Sequence, residues 1–283
     1  MLTIALFISG RLFGYKEYLL PIVNKLKYKY NILLFFSINS FSLDKDETIE
    51  VVQEDLKNTF GKTIGYIYFE EYKLPKSYVE TRMNNNIEIF NYNCLSCFYN
   101  DYKNMELIEK FENSNNTTFD IICKFRTEII FESELEFVVD NPNDLIIRNK
   151  HICDIRHWGH IYTDTPLMIS DAFAYGNKKS MKHYCSTYNW ILENNLLLNG
   201  NYLQTFEVFL TDSILQYLFY KIPGGGDEPS LNRDQIIYKY NNNPNGIQIV
   251  YLNNIHYRLI PTNIRSKHNF IVDKNNVYNY TKI

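Results

Sequence analysis

Strand-like and helix-like segments alternate along the first 70 residues, and this alternation constrains the fold more than any other feature of the chain. Short apolar runs at 3–9, 30–38 and 63–70 have the length and the β-branched and aromatic content of buried strands. Between them, residues 16–30 and 46–60 carry apolar side chains at helical spacing. Such an alternation predicts an α/β protein in which a parallel sheet has helices on its faces.

The rest of the chain continues the α/β pattern in a less regular order. Residues 86–113 predict one long helix, and FDIICKFRTEIIF at 119–131 predicts a central strand. LMISDAFAYG at 167–176 predicts a further strand that leads into a helix. Neither an internal repeat nor a linker is evident, so the sequence predicts one domain over residues 1–283. Its last part, 235–283, alternates as strands with Asn-rich turns and is predicted to be a β-rich extension.

Composition excludes several classes of protein. At 283 residues and 45% apolar content the chain can bury a large core, and its net charge of -3 gives no basic surface for nucleic acid. No apolar run approaches the roughly 18 residues of a transmembrane helix, and the apolar start MLTIALFIS lacks the basic segment of a signal peptide. Five irregularly spaced cysteines are typical of reduced thiols. We therefore expect a cytoplasmic protein without a membrane span.

The predicted central strand ends in a cluster of charges. Lys124, Arg126 and Glu128 interrupt an otherwise apolar run, and buried charges are costly unless they are paired or bound to a ligand. In open parallel sheets, ligands bind at the carboxyl ends of the strands. The RTE sequence at 126–128 therefore predicts part of a ligand site, and the alternative is a buried Arg–Glu pair that binds nothing.

Two other loops are predicted to reach the same edge of the sheet. In SGR, after the first strand, Gly10 allows close approach of the backbone to a ligand, and the guanidinium of Arg11 suits a phosphate. An ordinary strand-to-helix turn is the alternative there. Asp171 in SDAFAYG is predicted to face the same cleft. The segment HICDIRHWGH at 151–160 gathers His, Cys and Asp, but its spacing matches no common zinc site, so a polar loop lining the cleft is the favoured interpretation.

Taken in order, these segments resemble the GT-A-type glycosyltransferases, in particular the group related to WavE lipopolysaccharide-synthesis proteins and their viral relatives. The resemblance covers about residues 3–220. The segments that carry it are the first strand running into SGR, NYNCLSCFYNDYKNMELIEKFE, FDIICKFRTEIIF, ISDAFAYGNKKSMKHYCSTY and TFEVFLTDSILQYL. It implies a GT-A-like, Rossmann-like fold with a mostly parallel central sheet flanked by helices.

The resemblance also implies an activity and its donor site. The enzyme would move a sugar from a UDP- or GDP-linked donor to a hydroxyl of a glycan acceptor, with inversion favoured over retention. The residues expected to bind the donor are Ser9, Gly10, Arg11, Arg126, Thr127 and Glu128. Arg126 stands where the first acid of the usual Asp-x-Asp motif would be. Either Glu128 alone holds a divalent Mn²⁺ or Mg²⁺ ion, or Arg126 neutralises the diphosphate and the metal matters less.

Two acids are candidates for the proton chemistry that the resemblance implies. Glu207 in TFEVFLTDSILQYL takes the place of the base that deprotonates the acceptor hydroxyl, and its apolar neighbours could raise its pKa towards neutrality. The alternative for Glu207 is an acid on the surface of a helix. Asp171 is its rival, and is expected to orient donor or acceptor hydroxyls.

Two other function classes stay open on the same fold. A non-catalytic module that binds nucleotide sugars or glycans is supported by the missing Asp-x-Asp motif. A methyltransferase of Rossmann type would need a glycine-rich first loop and an acid at the end of the second strand. The chain offers a single glycine in SGR, and the second strand ends in FFSINS, which has no acid, so this class is disfavoured.

Overall fold

The computed structural model describes a large part of the chain. The described residues are 1–10, 12, 14–39, 43, 47–73, 88–127, 129–131, 134–141, 144–149, 169–194, 213–214, 242, 246, 248–251 and 257–259. The strands are β1 Thr3–Ser9, β2 Asn31–Asn39, β3 Ile64–Glu70, β4 Ile121–Phe125, β5 Ile129–Phe131, β6 Asp144–Asn149, β7 Ile169–Gly176, β8 Gln248–Tyr251 and β9 Tyr257–Leu259. The α-helices are α1 Leu20–Leu26, α2 Ile49–Phe60, α3 Glu88–Asn115, α4 Lys178–Cys185 and α5 Thr187–Glu193.

Seven of these strands form one mixed sheet in the order β3-β2-β1-β4-β7-β6-β8. The four strands from β3 to β4 are parallel to one another, and β6 is parallel to β8. Strand β7 runs antiparallel to both of its neighbours. The predicted α/β class with a mostly parallel central sheet flanked by helices is therefore confirmed, and the arrangement is compatible with a Rossmann-like fold.

Helices cover both faces of the sheet, which is why β1 and β2 read as continuous apolar runs. On one face, α3 packs Leu95, Phe98 and Ile108 onto the sheet, together with side chains of α4 and α5. On the other face, the core includes Val23 of α1 and Leu56 of α2. None of the described helices is long and apolar enough to cross a membrane.

The first predicted helix, 16–30, is interrupted in the structure. A π-helix at Tyr15–Leu19 precedes α1, which ends at Leu26. Pro21 lies in the first turn of α1, and it has no N–H with which to continue an α-helical ladder back into the preceding turn. The change of helix type therefore coincides with the residue that cannot donate.

The prediction of one continuous central strand over 119–131 was wrong. The strand stops at Phe125, and a turn follows in which Ile129 N donates to Arg126 O at 3.2 Å. The next apolar run becomes β5, which pairs antiparallel with β9 in a separate two-stranded sheet. The two apolar runs follow each other closely in the sequence and look like one strand, because the residues between them include neither Gly nor Pro.

The described parts of the predicted C-terminal extension join strands from earlier in the chain. Strand β8 extends the main sheet beside β6, and β9 pairs with β5. The helix predicted after β7 is also divided. It breaks at Ser186, whose hydroxyl donates to His183 O at 2.7 Å and competes with the helical ladder.

Candidate functional site at the carboxyl edge of the sheet

The strand order reverses between β1 and β4. Strands β2 and β3 lie on one side of β1, and β4 lies on the other. In open α/β sheets, the crevice at the carboxyl ends of the strands beside such a reversal is where ligands bind. The register pairs Ile8 with Phe125, so the chain leaves β1 at Ser9 and Gly10 beside the point where it leaves β4 at Arg126. The fold therefore brings together two of the three loops that the sequence predicts at this edge.

The prediction of a third loop, SDAFAYG after a strand, was wrong, because this segment is part of β7 itself. Asp171 still reaches the same edge, because β7 is antiparallel to β4 and its amino end lies there. Phe125, the last residue of β4, pairs with Phe173, so Asp171 near the start of β7 lies beside the turn at Arg126. Arg126 Nη1 donates to Asp171 Oδ2 at 3.0 Å. Their side chains are 26% and 10% exposed, respectively, so the pair sits at the boundary between core and solvent. Two of the residues predicted for the site thus contact each other directly.

On the face of the sheet that packs against α3, side chains change from apolar to polar towards this edge. Phe7, Phe35 and Ile122 belong to the apolar core on that face. Because side chains alternate along a strand, the next residues on the same face are polar. They meet polar side chains on α3, and together they form what we call the buried polar layer: Ser9, Ser37, Asn100, Asp101, Asn104 and Lys124.

At the centre of the buried polar layer is an ion pair between Lys124 and Asp101. The Lys124 ammonium donates directly to Asp101 Oδ2, and the two side chains are 0% and 1% exposed. It also lies 5.4 Å from the centroid of the Tyr184 ring, a favourable cation–π distance. Sequence reasoning missed Asp101, although polar residues at 100, 101 and 104 interrupt the apolar face of α3.

Burial disfavours the charged form of both Lys124 and Asp101. The opposite charge of each partner favours the charged form of the other. Desolvation acts to lower the pKa of the Lys124 ammonium, but Asp101 and smaller contributions from Tyr184, Cys97 and Asp171 together outweigh it, and the net pKa is well above the usual value. For Asp101, desolvation raises the pKa against the lowering influence of Lys124. Lys124 therefore keeps its proton, and its charge is matched inside the core. This accounts for one of the charges in the apolar run without a ligand.

The buried polar layer keeps hydrogen-bonding capacity at the end of β1. Asn104 Nδ2 donates to Ile8 O at 2.9 Å, which fixes α3 to β1. Ser9 lies close enough to the Asp101 carboxylate to favour its charged form. Yet Ser9 Oγ, Asp101 Oδ1 and Asn104 Oδ1 are buried and make no hydrogen bond of acceptable geometry with the residues that the structure describes. Native interiors rarely leave such atoms unpaired, so this end of the layer is suited to polar contacts.

Gly10 has the backbone that close approach to a ligand requires. Its φ of +90° lies in the region that favours glycine. Apart from its chain neighbours, no described heavy atom lies within 4 Å of the position that a Cβ would take. Thr127, the residue after Arg126, is fully buried in the turn that follows β4. The donor-binding roles of Ser9, Gly10, Arg126 and Thr127 stay predictions, with geometry that suits them.

Several predicted residues cannot be placed. Arg11, Glu128, Glu207 and the segment 151–160 lie outside the described residues. Within the described ranges, no three His, Cys, Asp or Glu side chains converge to hold a metal ion. At the edge itself, the carboxylate of Asp171 already contacts the guanidinium of Arg126. The described side chains therefore do not by themselves form a divalent cation site, and the metal stays a prediction that depends on Glu128.

An acid–aromatic cluster lies at the carboxyl end of β3, on the same edge. Glu70 Oε2 accepts hydrogen bonds from the hydroxyls of Tyr68, at 3.0 Å, and Tyr99. The rings of Tyr72 and Tyr99 pack against each other in a tilted arrangement, with centroids 4.9 Å apart. Desolvation and the hydrogen bond to Glu70 raise the pKa of Tyr99. The polar character of the edge therefore extends from β7 across β4 and β1 to β3.

Comparison with known proteins gives no family for this chain. No known protein family matches it, and no curated protein is significantly similar to it in sequence. The class of protein therefore rests on the fold and the edge described above. It is an α/β protein with a mostly parallel mixed sheet and an arginine–aspartate pair at the edge where the strand order reverses.

Proposed function

We propose that the protein is a glycosyltransferase that moves a sugar from a nucleoside-diphosphate donor to a hydroxyl of a glycan acceptor. One observation carries the proposal: Arg126 follows β4 at the reversal of strand order, next to the end of β1 that leads into Gly10, and its guanidinium is held at this edge by Asp171 of β7. A cation next to an approachable backbone at this position is what a diphosphate requires. The sugar-transfer part of the proposal is supported by the resemblance of the sequence segments.

The described residues have distinct roles in this proposal. When the sugar leaves the donor, negative charge builds up on the diphosphate, and a preorganised guanidinium stabilises that charge. Arg126 supplies this cation. Lys124 does not, because it is buried and paired with Asp101. The Asp171 carboxylate accepts a hydrogen bond from a donor or acceptor hydroxyl, and Glu207 accepts the proton of the attacking hydroxyl.

A divalent metal would supply further neutralisation of the diphosphate, and Glu128 is the residue expected to hold it. If it does, we expect Glu128→Gln to abolish any gain in donor affinity caused by Mn²⁺ while leaving the fold intact. Thermal shift with UDP and GDP, with and without Mn²⁺, measures this, because a ligand that binds the folded state raises the melting temperature.

Glu134→Gln is a matched control for that variant. Glu134 is an exposed acid six positions along the chain, and it pairs with Lys29 at 2.8 Å. Full sugar transfer by chelator-treated wild type would exclude the metal role and leave Arg126 as the partner of the diphosphate.

A non-catalytic module that binds the same donor is the second candidate. It is favoured by the Arg126–Asp171 contact. This ion pair engages Asp171, one of the two acids that are candidates for proton transfer. Mass spectrometry of UDP- and GDP-sugars incubated with the protein separates the two candidates. A transferase consumes the donor and releases nucleoside diphosphate, faster with an acceptor present. A binding module saturates with donor and releases none.

A further inference from the structure

We propose that Asp171 is an internal counter-ion of Arg126 that disfavours the nucleoside-diphosphate product more than the nucleotide-sugar donor, and so promotes product release. The inference rests on the proposed function for its biological meaning. Its physical content concerns only how the Arg126–Asp171 pair treats anions of different charge.

The pairing of β4 with β7 holds the backbones of Arg126 and Asp171 close together. Strands β4 and β7 pair in continuous register up to Phe125 and Phe173. Arg126 comes directly after that last pair and Asp171 lies two positions before Phe173 on β7, and the distance from Nη1 to Oδ2 is 3.0 Å. Asp171 is a short side chain that is 10% exposed, so it cannot move far from the guanidinium.

Two described cations near this point each contact a carboxylate. Lys124 is neutralised by Asp101, and Arg126 is in contact with Asp171. An anion that binds Arg126 therefore comes close to the Asp171 carboxylate. The attraction of the guanidinium and the repulsion of the carboxylate act at nearly the same place.

Donor and product differ in the charge of the phosphate that carries the sugar in the donor. In a nucleotide sugar the distal phosphate is bonded to both the sugar and the other phosphate, and it has one negative charge. After transfer it keeps only the anhydride bond to the other phosphate and, as a terminal phosphate, carries about 1.5 to 2 negative charges at neutral pH. Because Coulomb energy grows with charge and falls with distance, Asp171 repels the extra charge of the product more than it repels the donor. The carboxylate therefore biases the site towards the donor.

Two simple anions test this without any assumption about base, sugar or acceptor. Inorganic pyrophosphate carries the extra terminal charge, and symmetrical diethyl diphosphate lacks it. We expect Asp171→Asn to strengthen pyrophosphate binding about tenfold and to strengthen diethyl diphosphate binding about threefold or less, as measured by calorimetric titration. Arg126→Gln is expected to lose most of the affinity for both anions.

Glu136→Gln serves as a control for removal of one carboxylate charge, because Glu136 is exposed and pairs with Lys29 at 2.9 Å. Asp171→Ser is a second variant in case the asparagine disturbs the fold, and circular dichroism melting checks both. Equal strengthening for the two anions, or no strengthening of pyrophosphate binding in folded Asp171→Asn, would overturn the inference. Absence of pyrophosphate binding to both wild type and Asp171→Asn would overturn it as well. The proposed function is judged separately, by donor consumption in the wild type.

Discussion

Replacing Asp101 with leucine is expected to destabilise the protein by about 3–5 kcal/mol, because it leaves an uncompensated buried charge. The Lys124 side chain is 0% exposed, so water cannot replace the lost carboxylate. Urea denaturation followed by circular dichroism measures the change in the free energy of unfolding. We expect the midpoint to fall and the slope to stay the same, since the surface exposed on unfolding does not change.

The double variant Asp101→Leu, Lys124→Met separates the ion pair from the buried charge. Removing both charges together and filling the space with apolar groups is often neutral or stabilising, so the double variant should recover most of the lost stability. Glu106→Gln is the surface control. Glu106 pairs with Lys103 at 2.7 Å in a partly exposed position, where loss of the pair costs about 1 kcal/mol or less. A fully stable Asp101→Leu protein would contradict the assignment of Asp101 as the partner of the Lys124 charge.

Glu207→Gln is expected to lower the rate of sugar transfer by about a hundredfold or more while donor affinity is preserved. The substitution keeps the size and hydrogen bonding of the side chain but removes the group that accepts the proton of the attacking hydroxyl. Single-turnover transfer measures the chemical step without product release. This matters because the proposed effect of Asp171 on the product would otherwise enter the measured rate.

Glu193→Gln is a matched control for this variant, since Glu193 is an exposed acid at the end of α5. If Glu207→Gln keeps wild-type transfer in a single turnover while Asp171→Asn loses it, the roles of the two acids must be exchanged. Asp171 would then be the base, held by Arg126 until a ligand takes its place.

The first half of the fold could be predicted because each of its elements is marked locally. Strands β1, β2 and β3 and helix α3 fall within a few residues of their predicted bounds. The direction of β7 could not be predicted in the same way. An apolar run looks alike in parallel and antiparallel pairing, and the choice depends on the path of the intervening chain. The split of the predicted central strand after Phe125 was hidden for a similar reason, since no turn residue marks it.

The sequence could predict which edge of the sheet carries the candidate site, but not which side chains contact each other there. The rule that ligands bind at the carboxyl ends of strands was enough to group Ser9 and Arg126. Asp171 joins them for another reason, because it lies near the amino end of β7, which runs antiparallel to β4. The rule could not predict that Arg126 contacts Asp171, 45 positions away, or that Lys124 pairs with Asp101, 23 positions away. Such pairs are made by strand order and helix docking, and no local pattern in the sequence encodes them.

The role of Arg126 as the cation for the diphosphate is tested by calorimetric titration of UDP and GDP into the wild type and into Arg126→Met. We expect saturable binding of at least one of the two nucleotides to the wild type. We expect Arg126→Met, with an unchanged fold, to bind that nucleotide about tenfold more weakly or worse, the effect of losing a charged hydrogen bond of about 1.5 kcal/mol or more. Failure of both nucleotides to bind the wild type, or binding to Arg126→Met as tight as to the wild type, would contradict a diphosphate site at Arg126.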